Sequence, residues 1–574
     1  MSIRKDEIST INPADWPLAE YEAQLAQQHL IRSGAGHAEG SHGAVTVAYG
    51  GVAARAGLEV LKSGGNALDA AMSTAMMQIV LTAGAPISFF GIQSLVYYDA
   101  KTKQVHCMNA EWNTVRGEKD PLSIPGGFDL SGLEGLKGKG PASGRTAMVG
   151  GFMKGVEAAH RRFGRLPFKS LFEPSIYAAE HGVPVTHSTA FAYDMRHDDL
   201  ARLPETRATL LKPDGSIYVQ GETLKQPALA ETLKAVAEQG TDYLYKGPWA
   251  QKLVDAVQAD GGFMTTEDLA AYEVIWSAPL VAKIGDHELH VSPPPNNGGV
   301  AAIEAQLLAR ASGLAGEPHW TKSGASLRKA VQIAQMVFLD YLPEATQKAI
   351  YPSLDLSPAN RVTEGHAQAL WAQMAAGALP FQFVDPKHSD DVVAIDSEGN
   401  IAAITHSSNT VLWGKTCLNI DGISIPDSAS FQQAVMARVA PGDRLPAPTE
   451  TGLVFKDGEP VLGFASMGSG LHHRTLQCLL NFTAGGMSLR DAVNTPDFFG
   501  CQVDPKTFQL TMQVPKDKFP LDVLVESGLP YVEIGSENAR FGSEGIWIGI
   551  SRDPKTGQLE AVSHNRNNSA AFAY

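Results

Sequence analysis

A serine hydroxyl can attack an amide once a neighbouring group takes its proton. Ser389 stands at the head of an apolar, β-branched run at 392–395. The turn Asp396-Ser397-Glu398-Gly399-Asn400 follows, and then a second such run at 401–404. Two runs of this kind about a Gly/Asn-rich turn predict a β-hairpin. The second run ends in the hydroxyl-rich Thr405-His406-Ser407-Ser408-Asn409-Thr410. Antiparallel pairing folds it back beside the first, so Ser389 and the region of Ser407 become neighbours. A further candidate is Ala465-Ser466-Met467-Gly468-Ser469-Gly470, small residues ending an apolar strand and opening a helix. Backbone N–H groups at such a turn can cradle an anion or oxyanion. Taken alone, the segment reads as a plain turn.

Other chemistry is disfavoured by spacing. His472-His473, and His287 with His290, lack a third ligand at helical or hairpin spacing, so no metal is expected. Gly64-Gly65-Asn66 and Gly298-Gly299 fit neither GxxxxGK[ST] nor GxGxxG after a strand. They read as turns, and no cofactor is expected. A GxSxG nucleophile elbow does not occur, which argues against an α/β-hydrolase.

The chain that must position these groups has 574 residues, 44% hydrophobic and 19% charged, an ordinary globular composition. That length exceeds the roughly 250–300 residues of a single core. A net charge of −15 argues against non-specific nucleic-acid binding. Cys107, Cys417, Cys478 and Cys501 are scattered, as expected of a reducing compartment. The polar first 24 residues have no apolar signal region, and no apolar run is long enough to span a bilayer. The expectation is a cytoplasmic protein with no membrane and no nucleic-acid partner.

Periodicity and capping place helices at 51–63, 67–81, 300–311, 470–484 and 488–495, and mainly helix over 146–275. Strands are expected at 45–49, 93–99, 104–109, 451–456, 460–465, 509–514, 545–551 and 559–563, with a pair near 278–290. Residues 1–40 read as an extension with an amphipathic piece at 18–31, and 121–144 as a Gly/Pro-rich loop. Strands grouped with helix pairs suggest a layered α+β sandwich.

Three stretches resemble the γ-glutamyltransferase family of N-terminal-nucleophile hydrolases. They are Gly57-Leu58-Glu59-Val60-Leu61-Lys62-Ser63-Gly64-Gly65-Asn66-Ala67-Leu68-Asp69-Ala70-Ala71, Pro293-Pro294-Pro295-Asn296-Asn297-Gly298-Gly299, and Thr265-Thr266-Glu267-Asp268-Leu269-Ala270-Ala271-Tyr272. The resemblance runs from about Gly43 to Tyr574. It implies a four-layer αββα sandwich and a proenzyme that cuts itself before its nucleophile. Counting back from Gly399-Asn400 puts that nucleophile on Ser389 and the cut after His388. It implies Ser407 as the supporting hydroxyl, Asn409 as the binding asparagine, and the N–H groups of Gly468 and Ser469 as the oxyanion cradle. The regions would be 41–388 and 389–574, sharing one intertwined core as a self-cleaved heterodimer or a higher oligomer.

The substrate anchors depart from the family pattern. Ala110 stands where the family has an arginine, Ala429-Ser430 where it has an acidic pair, and Ala447-Pro448 where it has two serines. A site without its ion-pairing groups should lose a glutamyl zwitterion by several kcal/mol. Phe89, Phe90 and Trp112 suggest a less polar acyl pocket, with Ser430 and His472 as further contacts. The expected activity is hydrolysis of a small non-γ-glutamyl amide. Two alternatives keep the fold. One is an uncut protein that binds without catalysis, or one that uses Asp390, Asp391 or His472. The other hydrolyses a carbon–carbon bond beside a carbonyl.

Overall fold

The computed structural model describes residues 11–27, 36–126, 140–342, 344–377, 389–410, 412–468, 470–503, 510–535, 545–564 and 568–574. The strands of its two large sheets are β1 (Gly36–Gly40), β2 (Ala44–Val47), β3 (Ile92–Asp99), β4 (Gln104–Ala110), β5 (Ile275–Ser277), β6 (Leu280–Ile284) and β7 (His287–Val291). They continue as β8 (Ser389–Ile395), β9 (Ile401–Ser407), β10 (Glu450–Lys456), β11 (Glu459–Met467), β12 (Ile546–Arg552), β13 (Leu559–Ser563) and β14 (Ala570–Ala573). One seven-stranded sheet has the order β14-β2-β8-β9-β3-β4-β5, and the other β1-β13-β12-β11-β10-β7-β6. Neighbouring strands are antiparallel throughout both.

The layering follows from the two-residue side-chain period of a strand. On β8, Val393 and Ile395 pack between the sheets with Val96, Ile401, Ala403, Leu453, Ala465 and Ile548. Val392 and Ala394 face the other way, into a cluster with Ala70, Ala71 and Ala75. On this side lie α1 (Leu18–Gln27), α2 (Gly51–Lys62), α3 (Ala67–Leu81) and α4 (Phe152–Phe163). On the outer side of the second sheet lie α5 (Gly298–Ala311), α6 (Gly324–Gln335) and α7 (Leu471–Thr483), in one apolar cluster with Val454, Leu462 and Phe464. The result is the four-layer αββα sandwich.

Local chemistry accounts for the elements nearest the hairpin. Asn66 caps α3 through a reciprocal box with Asp69. Every residue of α3 is buried, which its small Ala70, Ala71 and Ser73 permit. Gly57 of α2 allows the close approach, since a Cβ there would lie 2.2 Å from Thr74 Oγ1. The β8–β9 turn closes on Asp396. Its Oδ1 accepts from Glu398 N (2.9 Å) and Asn400 N (3.0 Å), and its Oδ2 from Asn400 Nδ2 (2.8 Å) and Ala67 N (2.9 Å).

Several boundaries differ from expectation. Residues 36–40 are β1, an edge strand paired with β13, and Trp16 and Tyr21 belong to the helix-side core. Those contacts, more than composition, decide the role of the region assigned to an extension. The C-terminal β14 and the short β5 had no sequence signal, because Ala-Ala-Phe-Ala and Ile-Trp-Ser are too short for alternation to register. Within the stretch expected as a loop at 121–144, residues 121–126 and 140–144 contain only single 3-10 turns, at Pro121–Ser123 and from Gly144, and 127–139 lie outside the described residues.

Candidate active site

The hairpin register sets Ser389 directly opposite Ser407. Ser389 Oγ donates to Ser407 Oγ at 2.9 Å, and Ser407 Oγ also accepts from Asn409 N at 2.9 Å. Asn409 reaches that position in the left-handed region, at φ +47°, a conformation asparagine tolerates better than most residues. Ser389 is half-buried and Ser407 buried. Gly91, just before β3, passes so close that a Cβ would lie 2.4 Å from Ser407 O. The expected nearness of Ser389 and Ser407 is therefore present, and Asn409 adjoins the pair through its backbone N–H. His388, the residue before the expected cut, lies outside the described residues.

The expected cradle lies where β11 passes into α7. Gly468 follows the strand at φ +82°, a backbone suited to glycine, and Ser469 lies outside the described residues. At the start of α7, His472 Nδ1 is paired with Glu450 Oε1, and Glu450 is buried at the start of β10. His473 is buried outright, and burial pushes its imidazole down to about 3.

Below Ser389 and Ser407 runs a row of polar side chains that joins Asp391 and Thr405 to Ser94 and Asn109 on the neighbouring strands. Asp391 pairs across with Thr405, Thr405 with Ser94, and Ser94 with Asn109. Thr405 Oγ1 donates to Asp391 Oδ1 at 2.6 Å. Ser94 Oγ donates to Glu111 Oε1 at 2.5 Å, and Asn296 Nδ2 (3.1 Å) and Thr449 Oγ1 (3.0 Å) donate to the same oxygen. Burial pushes the Glu111 carboxyl upward against these donors. It also pushes Asp391 well above the usual carboxylate range, with Glu450 adding to the rise. Asp390 faces the helix side, accepts from Tyr49 N at 3.0 Å, and is likewise raised by burial and by Asp391. The two-residue alternation of Ser389 with Asp391, and of Thr405 with Ser407, was the available signal for this row.

The expected acyl pocket does not assemble as one group. Phe89 and Phe90 are buried in the helix-side core, Phe89 against Phe152 and Phe90 5.5 Å from the Trp249 ring. Ala110 also turns to that side, under α4, where a Cβ on Gly155 would lie 2.8 Å away. Trp112 is separate from them. It sits in an apolar cluster with Ile92, Met148, Ala429, Met436, Leu445 and Ala447. Ser430 is buried beside that cluster, and its Oγ donates to Asp427 O at 2.7 Å. The two rings lie in the helix-side core instead of a pocket, since side-chain type alone cannot tell a core ring from a lining one. Among the described residues no group of three His, Cys, Asp or Glu is disposed to hold a metal. No helix among them is long and apolar enough to cross a membrane.

Known proteins resemble this arrangement along nearly the whole chain. The sequence profile described as Gamma-glutamyltranspeptidase matches residues 53–574. A glutathione hydrolase proenzyme of Bacillus subtilis (strain 168) is 26% identical over 568 residues, covering 93% of this chain and 92% of that protein. An acylase ACY 1 proenzyme of Pseudomonas sp. (strain SE83) is 25% identical over 489 residues, 80% of this chain and 82% of that one. The crystal structure of a cephalosporin acylase from Bacillus halodurans shares the fold, with a TM-score of 0.75 at 21% identity over 95% of this chain and 98% of its own.

Proposed function

The chain belongs to the gamma-glutamyltranspeptidase family, and we propose that it is a self-processing amide hydrolase with Ser389 as nucleophile and a substrate other than a γ-glutamyl amide. One observation carries the substrate half of this reading. Ala429 and Ala447 stand where the family resemblance calls for one member of an acidic pair and one of two serines. Both are buried in the apolar cluster with Trp112 and Ile92, and Ile92 pairs directly with Ser407. An uncompensated charge bound against such a wall costs several kcal/mol, whereas an apolar acyl group gains about 25 cal/mol per Å² buried. The acylase ACY 1 relative is in keeping with this.

In self-processing, Ser389 Oγ attacks the carbonyl carbon of residue 388. The C–Oγ bond forms, the C–N bond to Ser389 breaks, and the hydroxyl proton ends on the freed α-amino nitrogen. Water then hydrolyses the ester, leaving a carboxylate at 388 and restoring the Ser389 hydroxyl. In turnover that α-amino group, with an ordinary pKa of about 7.7–8.0, takes the hydroxyl proton as Oγ attacks the substrate. It returns the proton to the leaving amine, and water releases the acid. Ser407, held by Asn409 N, orients the nucleophile, and the N–H groups at Gly468 and Ser469 receive the developing oxyanion.

Intact-mass measurement tests the reading. The wild type is expected as two pieces divided between 388 and 389, and Ser389→Ala as one chain of 61.2 kDa. A panel of small acyl amides should then be hydrolysed in preference to a γ-glutamyl amide. A wild type that stays whole, or a Ser389→Ala variant that hydrolyses the panel at the wild-type rate, overturns the proposal.

A further inference from the structure

Before the chain is cut, Ser389 has no free α-amino group, so the base assigned to turnover does not yet exist. Ser407 accepts the Ser389 hydrogen bond, but a neutral hydroxyl does not hold a second proton near neutrality. We infer that Asp391 is the positioning residue of self-cleavage, its carboxyl holding one water against the Ser389 hydroxyl and taking the proton that the attack releases. The inference rests on the self-processing reading above.

Geometry leads to Asp391. Along β8, Ser389, Asp391, Val393 and Ile395 share one face, and the last two lie between the sheets. Two residues of strand rise by about 6.6 Å. One water making two hydrogen bonds of about 2.8 Å spans most of that gap. Thr405 Oγ1 fixes the carboxyl by donating to Oδ1. Oδ2 is buried and has no hydrogen-bond partner among the described residues. A buried carboxyl oxygen left unpaired loses its hydration uncompensated, and a bound water restores a partner.

The charged and titratable surroundings are compatible with a base. Glu450 on β10 faces Asp391, paired on its other side with His472 of α7. Asp390 lies on the opposite face. His406, also on the helix side of its strand, bonds Gln78 Oε1 at 2.9 Å. Glu111 ends the polar row two strands along. Burial and Glu450 push the Asp391 carboxyl upward while the Thr405 donor pulls it down, so its ionised form is a stronger base than a free carboxylate. The water gives one proton to the Asp391 carboxylate as it takes that of Ser389 Oγ, and the carboxyl then returns a proton through the same water to the departing Ser389 nitrogen. No atom or electron is left over.

The experiment follows the 388–389 cut by intact mass against time and pH. Asp391→Asn keeps an acceptor for Thr405 and loses the titrating carboxyl. It should slow the cut by about a hundredfold and abolish the acid limb of its pH profile. Thr405→Val keeps the carboxyl but loses a donor that favours its ionised form. Its acid limb should move to higher pH, a shift that mere loss of packing does not produce. Wild-type cutting with an Asp391→Asn variant of equal rate and unchanged acid limb overturns the role of Asp391 alone. So does a Thr405→Val limb that stays in place, which decides the matter even where Asp391→Asn fails to fold. A wild type that never cuts overturns self-processing and this inference together.

Discussion

His406 lies on the helix-side face of β9, fully buried, with Nε2 2.9 Å from Gln78 Oε1. Burial pushes its imidazole from the usual 6.5 down to about 3. The unfolded chain therefore binds a proton between about pH 6.5 and 3 that the folded chain refuses. The sign is fixed by linkage: full stability above pH 6.5, lost as pH falls through that window. His406→Gln preserves a polar partner for Gln78 and removes the titration. Its urea-unfolding stability should fall less steeply than the wild type's from pH 6.5 to 4, by up to about 1.4 kcal/mol per pH unit. His473 acts in the same direction, while the raised Asp390 and Asp391 oppose it. All three are common to both proteins, so the difference isolates His406. At this scale hydroxyls were easier to place than rings. Ser389 and Ser407 fall opposite each other because hairpin register is set by a turn that sequence reveals. Phe89 and Phe90, expected to line a pocket, lie in the core, because an aromatic residue reads alike in a core and in a pocket.

The β8–β9 hairpin owes its geometry to Asp396, which serves three backbone N–H groups and the Asn400 amide. One of those N–H groups belongs to Ala67, so the same carboxylate ties the turn to the start of α3. Asp396→Ala should cost about 2–4 kcal/mol in urea unfolding, since it strands several buried donors at once. Asp396→Asn should recover part of that loss. A cost under about 0.5 kcal/mol would show that the turn holds without its carboxylate. Elements with a strong local signal emerged within a residue or two: the α3 helix, with its capping box, matches 67–81, and β13 matches 559–563. The edge strands β1 and β14 did not. Their glycine- and alanine-rich segments have little strand preference of their own and are strands because β13 and β2 present unpaired edges to them.

Over the whole molecule, the two sides of the 388–389 bond are woven together. The strands β8 and β9 lie between β2 and β3, so the first sheet runs through both sides of the expected cut. The second sheet likewise joins β6 and β7 to β10, and each main core cluster draws on residues from before and after the bond. We propose on these grounds that cutting leaves one particle. Size-exclusion chromatography should give one species of at least 61.2 kDa that separates into two bands only under denaturing conditions. Pieces that part in native buffer would contradict it. The sequence by itself determined the alternation of the hairpin, the caps and the family motifs, because these depend on residues near one another in the chain. Only the tertiary structure decided which face of each strand meets the second sheet. That choice sets Asp391 beside Glu450, and gathers Trp112, Ala429 and Ala447 into one wall. Such placements depend on contacts between segments tens to hundreds of residues apart, which no local pattern encodes.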